Sequence, residues 1–180
     1  MNHETLDLEV RFSTEESGKV TGIASVWDEP DAYGDIVEKG AFSKSLAEHK
    51  KAGTRPLFFF NHRSDDIIGV WDKITETDKG LEVEGSLVTK TAKGSEAYEL
   101  LKAGAINGLS IGFRTRGAKK GANGGRIVTD MELVEISLVP LPAAAKARVS
   151  SVKSAPSQGV NYSRLVGALT SATKALKVTS

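Results

Sequence analysis

Short runs of alternating apolar and polar residues, separated by turn-forming residues, restrict this chain to a fold built on sheet. The clearest run is Leu81-Glu82-Val83-Glu84-Gly85-Ser86-Leu87, entered through Asp78-Lys79-Gly80. Successive side chains on a strand point to opposite faces, so this run collects its apolar residues on one side. The preceding segment, with Ile68, Val70 and Ile74 expected on one face, completes a hairpin. Val20 to Trp27 predicts another strand, as does the amphipathic segment carrying Leu6, Leu8, Val10 and Phe12. Leu57-Phe58-Phe59-Phe60 holds half of the chain's 6 phenylalanines and predicts a buried strand. A long strand is expected from Ile127 to Leu138. Met131, Leu133, Glu135 and Ser137 should share one of its faces, with Val134, Ile136 and Leu138 on the other.

Two segments break the period of two. Residues 40–53 combine Phe42 and Leu46 on one stripe with a basic last turn and Gly53, a helix with its stop. Thr91 to Gly104 repeats the design, with Ala97, Tyr98, Leu100 and Leu101 as the apolar side. The acidic stretch from Asp28 to Asp35 is rich in turn formers and lacks the spacing of a calcium-binding loop, so a solvated loop is expected. Residues 114–126, basic and rich in glycine, are expected to form a mobile hairpin loop; they lack the interleaved aromatics that stack on single-stranded nucleic acid. Ala143 to Gln158 is small, basic and serine-rich, and predicts a flexible linker. Leu165, Leu169, Ala172 and Leu176 then recur at helical spacing. The expected organisation is a compact domain over residues 1–145, followed over 146–180 by a flexible linker and an amphipathic C-terminal helix.

Composition removes several function classes. With 24 Lys and Arg against 23 Asp and Glu, the formal charge is +1, and no overall field draws the chain to nucleic acid or an anionic membrane. There is no cysteine to build a disulfide framework or a thiolate site, and His3, His49 and His62 lie far apart, so no metal is expected. No apolar run approaches the ~20 residues of a membrane span, and the N-terminus opens no apolar segment. A soluble chain without a conventional secretion signal is the expectation.

The stretch with most chemical promise is Ala105-Ile106-Asn107-Gly108-Leu109-Ser110-Ile111-Gly112-Phe113. Asn-Gly marks a turn, and Ser110 then falls on the face opposite Leu109, Ile111 and Phe113, among small residues that leave room for a substrate backbone. The same pattern suits a plain strand. A serine hydroxyl attacks only when a base takes its proton and an acid orients that base. His62 is the candidate base, at the end of a rigid aromatic strand, with His49 better suited to a helix surface or cap. Glu135 is the candidate acid, because a carboxylate in an apolar strand costs several kcal/mol to bury unless a partner receives it. Pairing of Glu135 with a Lys or Arg, and orientation of His62 by Asp65 or Asp66, remain open. No G-x-S-x-G elbow is present.

Five blocks carry a resemblance: GIASVWDEPDAYGDIVEKGAF, PLFFFNHRSDDIIGVW, GLEVEGSLV, TAKGSEAYELLKAGAINGLSIGF and MELVEISLVPLPA. In this order they resemble the tailed-phage prohead protease family, capsid-maturation serine proteases related in fold to herpesvirus assemblins. The resemblance implies a β-rich α+β fold, a small, mainly antiparallel β-barrel with peripheral helices. It places the catalytic histidine on His62, the serine on Ser110 and the acidic partner on Glu135. Phe60-Asn61-His62 departs from a Trp-Gln-His-like approach, and Pro140 stands where a smaller polar residue is common; neither removes a reactive group. Implied oxyanion donors are backbone N–H groups near Ser110 and Gly112, aided by Arg114. No cofactor is implied. The implied substrates are scaffolding protein and the scaffold segment of the major capsid protein, together with the protease itself, inside the immature procapsid in the host cytoplasm. Self-association is compatible with this picture. A catalytically inactive capsid-assembly module of the same fold is the alternative, and a soluble peptidase unrelated to capsids a weaker one.

Overall fold

The computed structural model describes residues 18–121 and 125–153. The elements run β1 (Lys19–Ser25), β2 (Asp35–Val37), α1 (Ser43–Ala52), β3 (Leu57–Phe60), β4 (Arg63–Glu76), β5 (Leu81–Leu87), α2 (Ala92–Lys102), β6 (Gly108–Lys120), β7 (Arg126–Val139) and β8 (Arg148–Val152). Strands pair in the order β7-β3-β4-β5-β1-β8-β6, and β6 pairs again with β7, which closes a seven-stranded barrel. Only β2 and β3 run parallel to their neighbour β7; the other ladders are antiparallel. This is the mainly antiparallel barrel with two peripheral helices that the sequence led us to expect, and closure leaves few free strand edges.

The alternating run behaves as expected. Leu81, Val83, Gly85 and Leu87 are buried, and the chain reverses from β4 where Thr77 N–H donates to Gly80 O at 2.9 Å. Gly85 is required by packing: a Cβ there would sit 2.6 Å from the Trp71 ring. That indole stacks on Phe58 with centroids 3.9 Å apart and donates from Nε1 to Ile136 O at 3.2 Å, joining β4, β3 and β7 at the core. One assignment on β4 fails. Trp71, at 2% exposure, faces the core while Val70 is turned out, because ladder irregularities opposite Phe58 and Phe59 and beyond Trp71 reset the alternation. Ser64, Asp65 and Asp66 also lie within β4.

Both helices form within the expected segments, the first starting three residues later at Ser43 and the second ending at Lys102. Gly53 ends α1 with φ 66°, and Thr91 caps α2 by accepting from Gly94 N–H at 3.1 Å. The α1 N-terminus has no side-chain cap of its own; instead Glu76 from β4 accepts from Gly40 and Phe42 N–H, each at 3.1 Å. The helix also fills a gap along β7. That strand pairs with β2 through Val128 and with β3 from Glu135; between them, Met131 N–H donates to Ala41 O at 3.0 Å and Leu133 N–H to Ser45 Oγ at 2.9 Å. His49 Nε2 meets Leu133 O at 3.0 Å, so this histidine is a structural tie.

Two segments expected to be loose are sheet. The boundary at residue 145 falls short, because β8 stands between β1 and β6 and belongs to the barrel. Its sequence hides this: the strand is held by backbone pairing, with Val149 N–H donating to Asn107 O at 2.8 Å and Leu109 N–H to Ala147 O at 3.0 Å. Gly22 permits the approach, since a Cβ there would lie 2.4 Å from Arg148 O. The basic segment after Phe113 is likewise a continuation of β6 through Lys120, not a loop from residue 114. Its cations meet carboxylates: Arg114 pairs with Glu132 at 2.7 Å, Arg116 with Glu48 at 2.8 Å and Lys119 with Glu38 at 2.6 Å. The strand expected over Leu6 to Phe12 and the helix expected over Leu165 to Leu176 lie outside the described residues. Among the described residues no helix is long and apolar enough to cross a membrane.

Candidate active site

A one-residue irregularity in β7 creates the site. Gly112 pairs with Glu135 and Phe113 with Leu133, so Val134 is extra and the alternation shifts there. Met131 and Leu133 face the core before the bulge, and Ile136 and Leu138 face it afterwards, all at 0% exposure. Glu135 and Ser137 are thereby turned to the opposite face from Leu133, which corrects the single face expected for the four residues. Directly opposite residues of an antiparallel pair share a face. Ser137 is opposite Ser110, and Glu135 is opposite Gly112.

The third strand brings the imidazole. Phe58 anchors β3 in the core, and after Phe60 the chain turns back at Asn61 and His62, whose φ values are 55° and 60°. Left-handed backbone is uncommon for residues other than glycine and is tolerated by asparagine. Two hydrogen bonds hold the turn: Asn61 N–H donates to Leu138 O at 2.9 Å, and His62 N–H to Ser137 Oγ at 3.2 Å. The His62 ring then lies with Nδ1 2.6 Å from Glu135 Oε1.

Every atom of the buried carboxylate is accounted for. Oε1 meets His62, and Oε2 accepts from the Ser137 hydroxyl at 2.6 Å. The carboxylate lies flat over β6 because position 112 has no side chain; a Cβ there would be 2.2 Å from Oε1. Asp65 and Asp66, the other candidates to orient His62, pair with Arg63 at 2.9 and 3.0 Å. The hydrogen bond to Glu135 is the largest influence on His62 and raises its pKa above the ordinary imidazole value; partial burial opposes this, and the carboxylate's charge adds to it.

Ser110 is half-buried on β6 and lines a cavity of about 910 Å³ together with His62 and Asn61. Loops on either side enclose it. Ala32 N–H donates to Ala143 O at 2.9 Å and Lys146 pairs with Glu29 at 2.5 Å, which staples the acidic loop to residues 143–146, just after Pro140-Leu141-Pro142. Arg126 and Asp35 form an ion pair in the cavity wall. Among the described residues the Ser110 hydroxyl has no hydrogen-bond partner, and His62 Nε2 has none either. Arg114, expected to assist an oxyanion, points its charge to Glu132 and does not line the cavity. No group of three or more His, Asp and Glu side chains among the described residues is arranged to hold a metal ion.

Of the three residues singled out by sequence, His62 and Glu135 are in contact, and Ser110 lines the cavity that His62 also lines. Ser137 was missed, and Gly112, expected only as backbone near an oxyanion, was not expected to make room for the carboxylate. Ser137 gave only the signal of sharing a face with Glu135, and Gly112 only that of a small residue near Ser110; neither pattern specifies a contact.

A closed seven-stranded barrel with a carboxylate-held imidazole beside a strand serine is the architecture these observations define. The fold is similar to that of the bacteriophage T4 capsid assembly protease, with a TM-score of 0.58 and 13% identity, over 68% of this chain and 81% of that one. Identity so low speaks to fold alone. In sequence, residues 6–160 match the family described as caudovirus prohead serine protease, and this chain belongs to that family. It is 32% identical over 154 residues to the prohead protease of Enterobacteria phage HK97, covering 82% of this chain and 66% of that protein. It is 36% identical over 157 residues to the capsid polyprotein of Pseudomonas phage PAJU2, covering 82% of this chain and 22% of the polyprotein. The prohead protease of Escherichia phage T5 is 29% identical over 139 residues, covering 76% of this chain and 63% of that protein. The chain therefore spans less than two thirds of the length of each of these three relatives.

Proposed function

We propose that this chain is a serine endopeptidase that cleaves capsid-assembly proteins during prohead maturation, with Ser110 as nucleophile, His62 as general base and Glu135 as the acid behind it. The observation that carries the proposal is the 2.6 Å contact between His62 Nδ1 and Glu135 Oε1, which leaves Nε2 without a protein partner beside the cavity that Ser110 lines. In the proposed mechanism His62 Nε2 takes the hydroxyl proton of Ser110 as its oxygen attacks a peptide carbonyl. The imidazolium, stabilised by Glu135, then gives that proton to the leaving amine. Water activated by the same nitrogen releases the acyl group and restores the serine.

Family membership supports scaffolding protein and the scaffold segment of the major capsid protein as substrates, within the immature procapsid. The likeness to part of a capsid polyprotein supports close association with capsid protein. Confinement in one shell raises the effective concentration of cleavage sites and tolerates weak binding. Self-cleavage belongs to the same proposal. Because Arg148–Val152 is a barrel strand, such a cut is assigned beyond it, in residues 154–180. The test is labelling of the full chain with a fluorophosphonate, alongside co-expression with a tailed-phage major capsid protein as candidate substrate. Labelling and capsid cleavage that both disappear in S110A and H62A are expected. Cleavage that persists in S110A would overturn the assignment of the nucleophile, and no labelling or cleavage in the parent chain would favour the inactive assembly module.

A further inference from the structure

Ser137 makes two hydrogen bonds to the His62–Glu135 pair, and the proposed mechanism gives it no role. Its exposure is 0%. A hydroxyl buried that deeply costs free energy unless its hydrogen-bonding capacity is used, and here both directions are. It donates to Glu135 Oε2 at 2.6 Å and accepts from the His62 backbone N–H at 3.2 Å. One oxygen therefore joins the carboxylate that faces the imidazole to the backbone that carries the imidazole. Glu135 and Ser137 are two residues apart on one strand, so the donor is fixed relative to the carboxylate by the strand itself. His62, in contrast, sits in a left-handed turn, a backbone conformation uncommon for residues other than glycine, and that turn is held by tertiary hydrogen bonds.

We propose that Ser137 is a positioning residue for the His62–Glu135 pair: its hydroxyl commits Oε2, leaves Oε1 to the imidazole, and pins the left-handed turn that sets the height of the ring. The catalytic consequence rests on the function proposed above; the geometric one does not. Withdrawing a hydrogen-bond donor from a carboxylate concentrates its negative charge on the remaining partner, so His62 in a Ser137 variant should hold its proton to higher pH. Other charges around the ring are engaged elsewhere. Arg63 of β4 is paired with Asp65 and Asp66, and across the cavity Arg126 is paired with Asp35 and Glu29 with Lys146. Asp31 accepts from the backbone N–H groups of Tyr33 and Asp35. Removing the Ser137 hydroxyl touches none of these.

The test uses the full chain in the S110A background, which neither cleaves nor self-cleaves under the proposed function. The titration of His62 is followed by NMR, with its signal assigned by its loss in His62→Gln. Ser137→Ala is expected to move the midpoint upward by roughly half a unit or more, and to speed exchange of the His62 amide, which loses its acceptor. Ser137→Thr, which keeps the hydroxyl, should restore the parent midpoint. If the alanine variant does not fold, Ser137→Cys of similar size and weaker donor strength takes its place, with the same upward shift expected. A residue that merely packs would lower stability and leave the midpoint in place, so an unmoved midpoint in a folded Ala or Cys variant overturns the proposal. With Ser110 restored, Ser137→Ala should lower kcat about tenfold, leave KM unchanged and carry the acid limb of the activity profile to higher pH. Absence of activity in the parent chain would sink the protease assignment alone, since the titration still judges Ser137.

Discussion

The two halves of the candidate site are built differently. On one side, His62, Glu135 and Ser137 form a chain of contacts between 2.6 and 3.2 Å, rooted in two strands and a backbone turn. On the other, Ser110 presents a hydroxyl that touches no polar partner among the described residues and faces an open cavity. The first half must be assembled in advance because a buried carboxylate is costly until both its oxygens are used. The second need not be: a hydroxyl beside solvent satisfies itself with water, and hydrogen bonds at such sites often tighten only when substrate arrives. The contrast separates what folding enforces from what a bound peptide would complete.

Substitutions should therefore strike the two halves unequally. Ser110→Ala is expected to lower cleavage by at least about 10³-fold while changing stability by less than about 0.5 kcal/mol, since no protein hydrogen bond is lost. Rates of capsid-protein cleavage and chemical unfolding curves read the two quantities. Glu135→Gln should be nearly as damaging to activity, about 10³-fold or more, but should also cost roughly 1–3 kcal/mol, because an amide cannot accept at both ends of the Ser137–His62 chain. Equal stability losses in the two variants would erase the contrast.

Gly112→Ala probes the space between the halves. With its Cβ placed 2.2 Å from Glu135 Oε1, the carboxylate must move off the imidazole. We expect a loss of about 100-fold in cleavage rate, about 1–3 kcal/mol of stability, and a fall of the His62 midpoint towards its ordinary value. A parent-like titration would show that the carboxylate has another resting place.

Protonation sharpens the comparison further. The folded state raises the pKa of His62, so the pair's contribution to stability is fully present below the unfolded imidazole value and is lost as pH rises through the folded one. Activity runs the opposite way, because a general base must be neutral. In S110A, the stability difference from S110A/H62Q should shrink across that window, and in the parent chain cleavage should rise across it. The smallest effect is expected at the turn. Asn61→Gly relieves the left-handed backbone without touching the carboxylate, and should change stability by less than about 1 kcal/mol.

The site was legible to the extent that its members are local exceptions. Glu135 interrupts an apolar strand, Ser110 follows Asn-Gly among small residues, and His62 ends an aromatic run; each anomaly is visible without knowing the fold. Ser137 is not anomalous, because a serine on an alternating strand is ordinary until its neighbours are known. The same distinction holds for the barrel. Both helices and the β4–β5 hairpin announce themselves by period, cap and turn. The last strand does not: Arg148–Val152 is recruited by its backbone ladder with β1 and by the Val149 N–H bond to Asn107 O, and these are indifferent to side-chain pattern. Likewise, the basic stretch after Phe113 resembles a loop until Glu38, Glu48 and Glu132 are seen beside its cations.

By itself, the sequence determined the kinds of element, the turns that separate them and the three residues out of place in their surroundings, because side-chain period and turn chemistry are local properties. Tertiary structure decided which face each of those residues occupies and what it touches. A single extra residue at Val134 turns Glu135 away from the core face of Leu133, and only the pairing of β7 with β6 and β3 sets where that residue falls and which imidazole the carboxylate then meets.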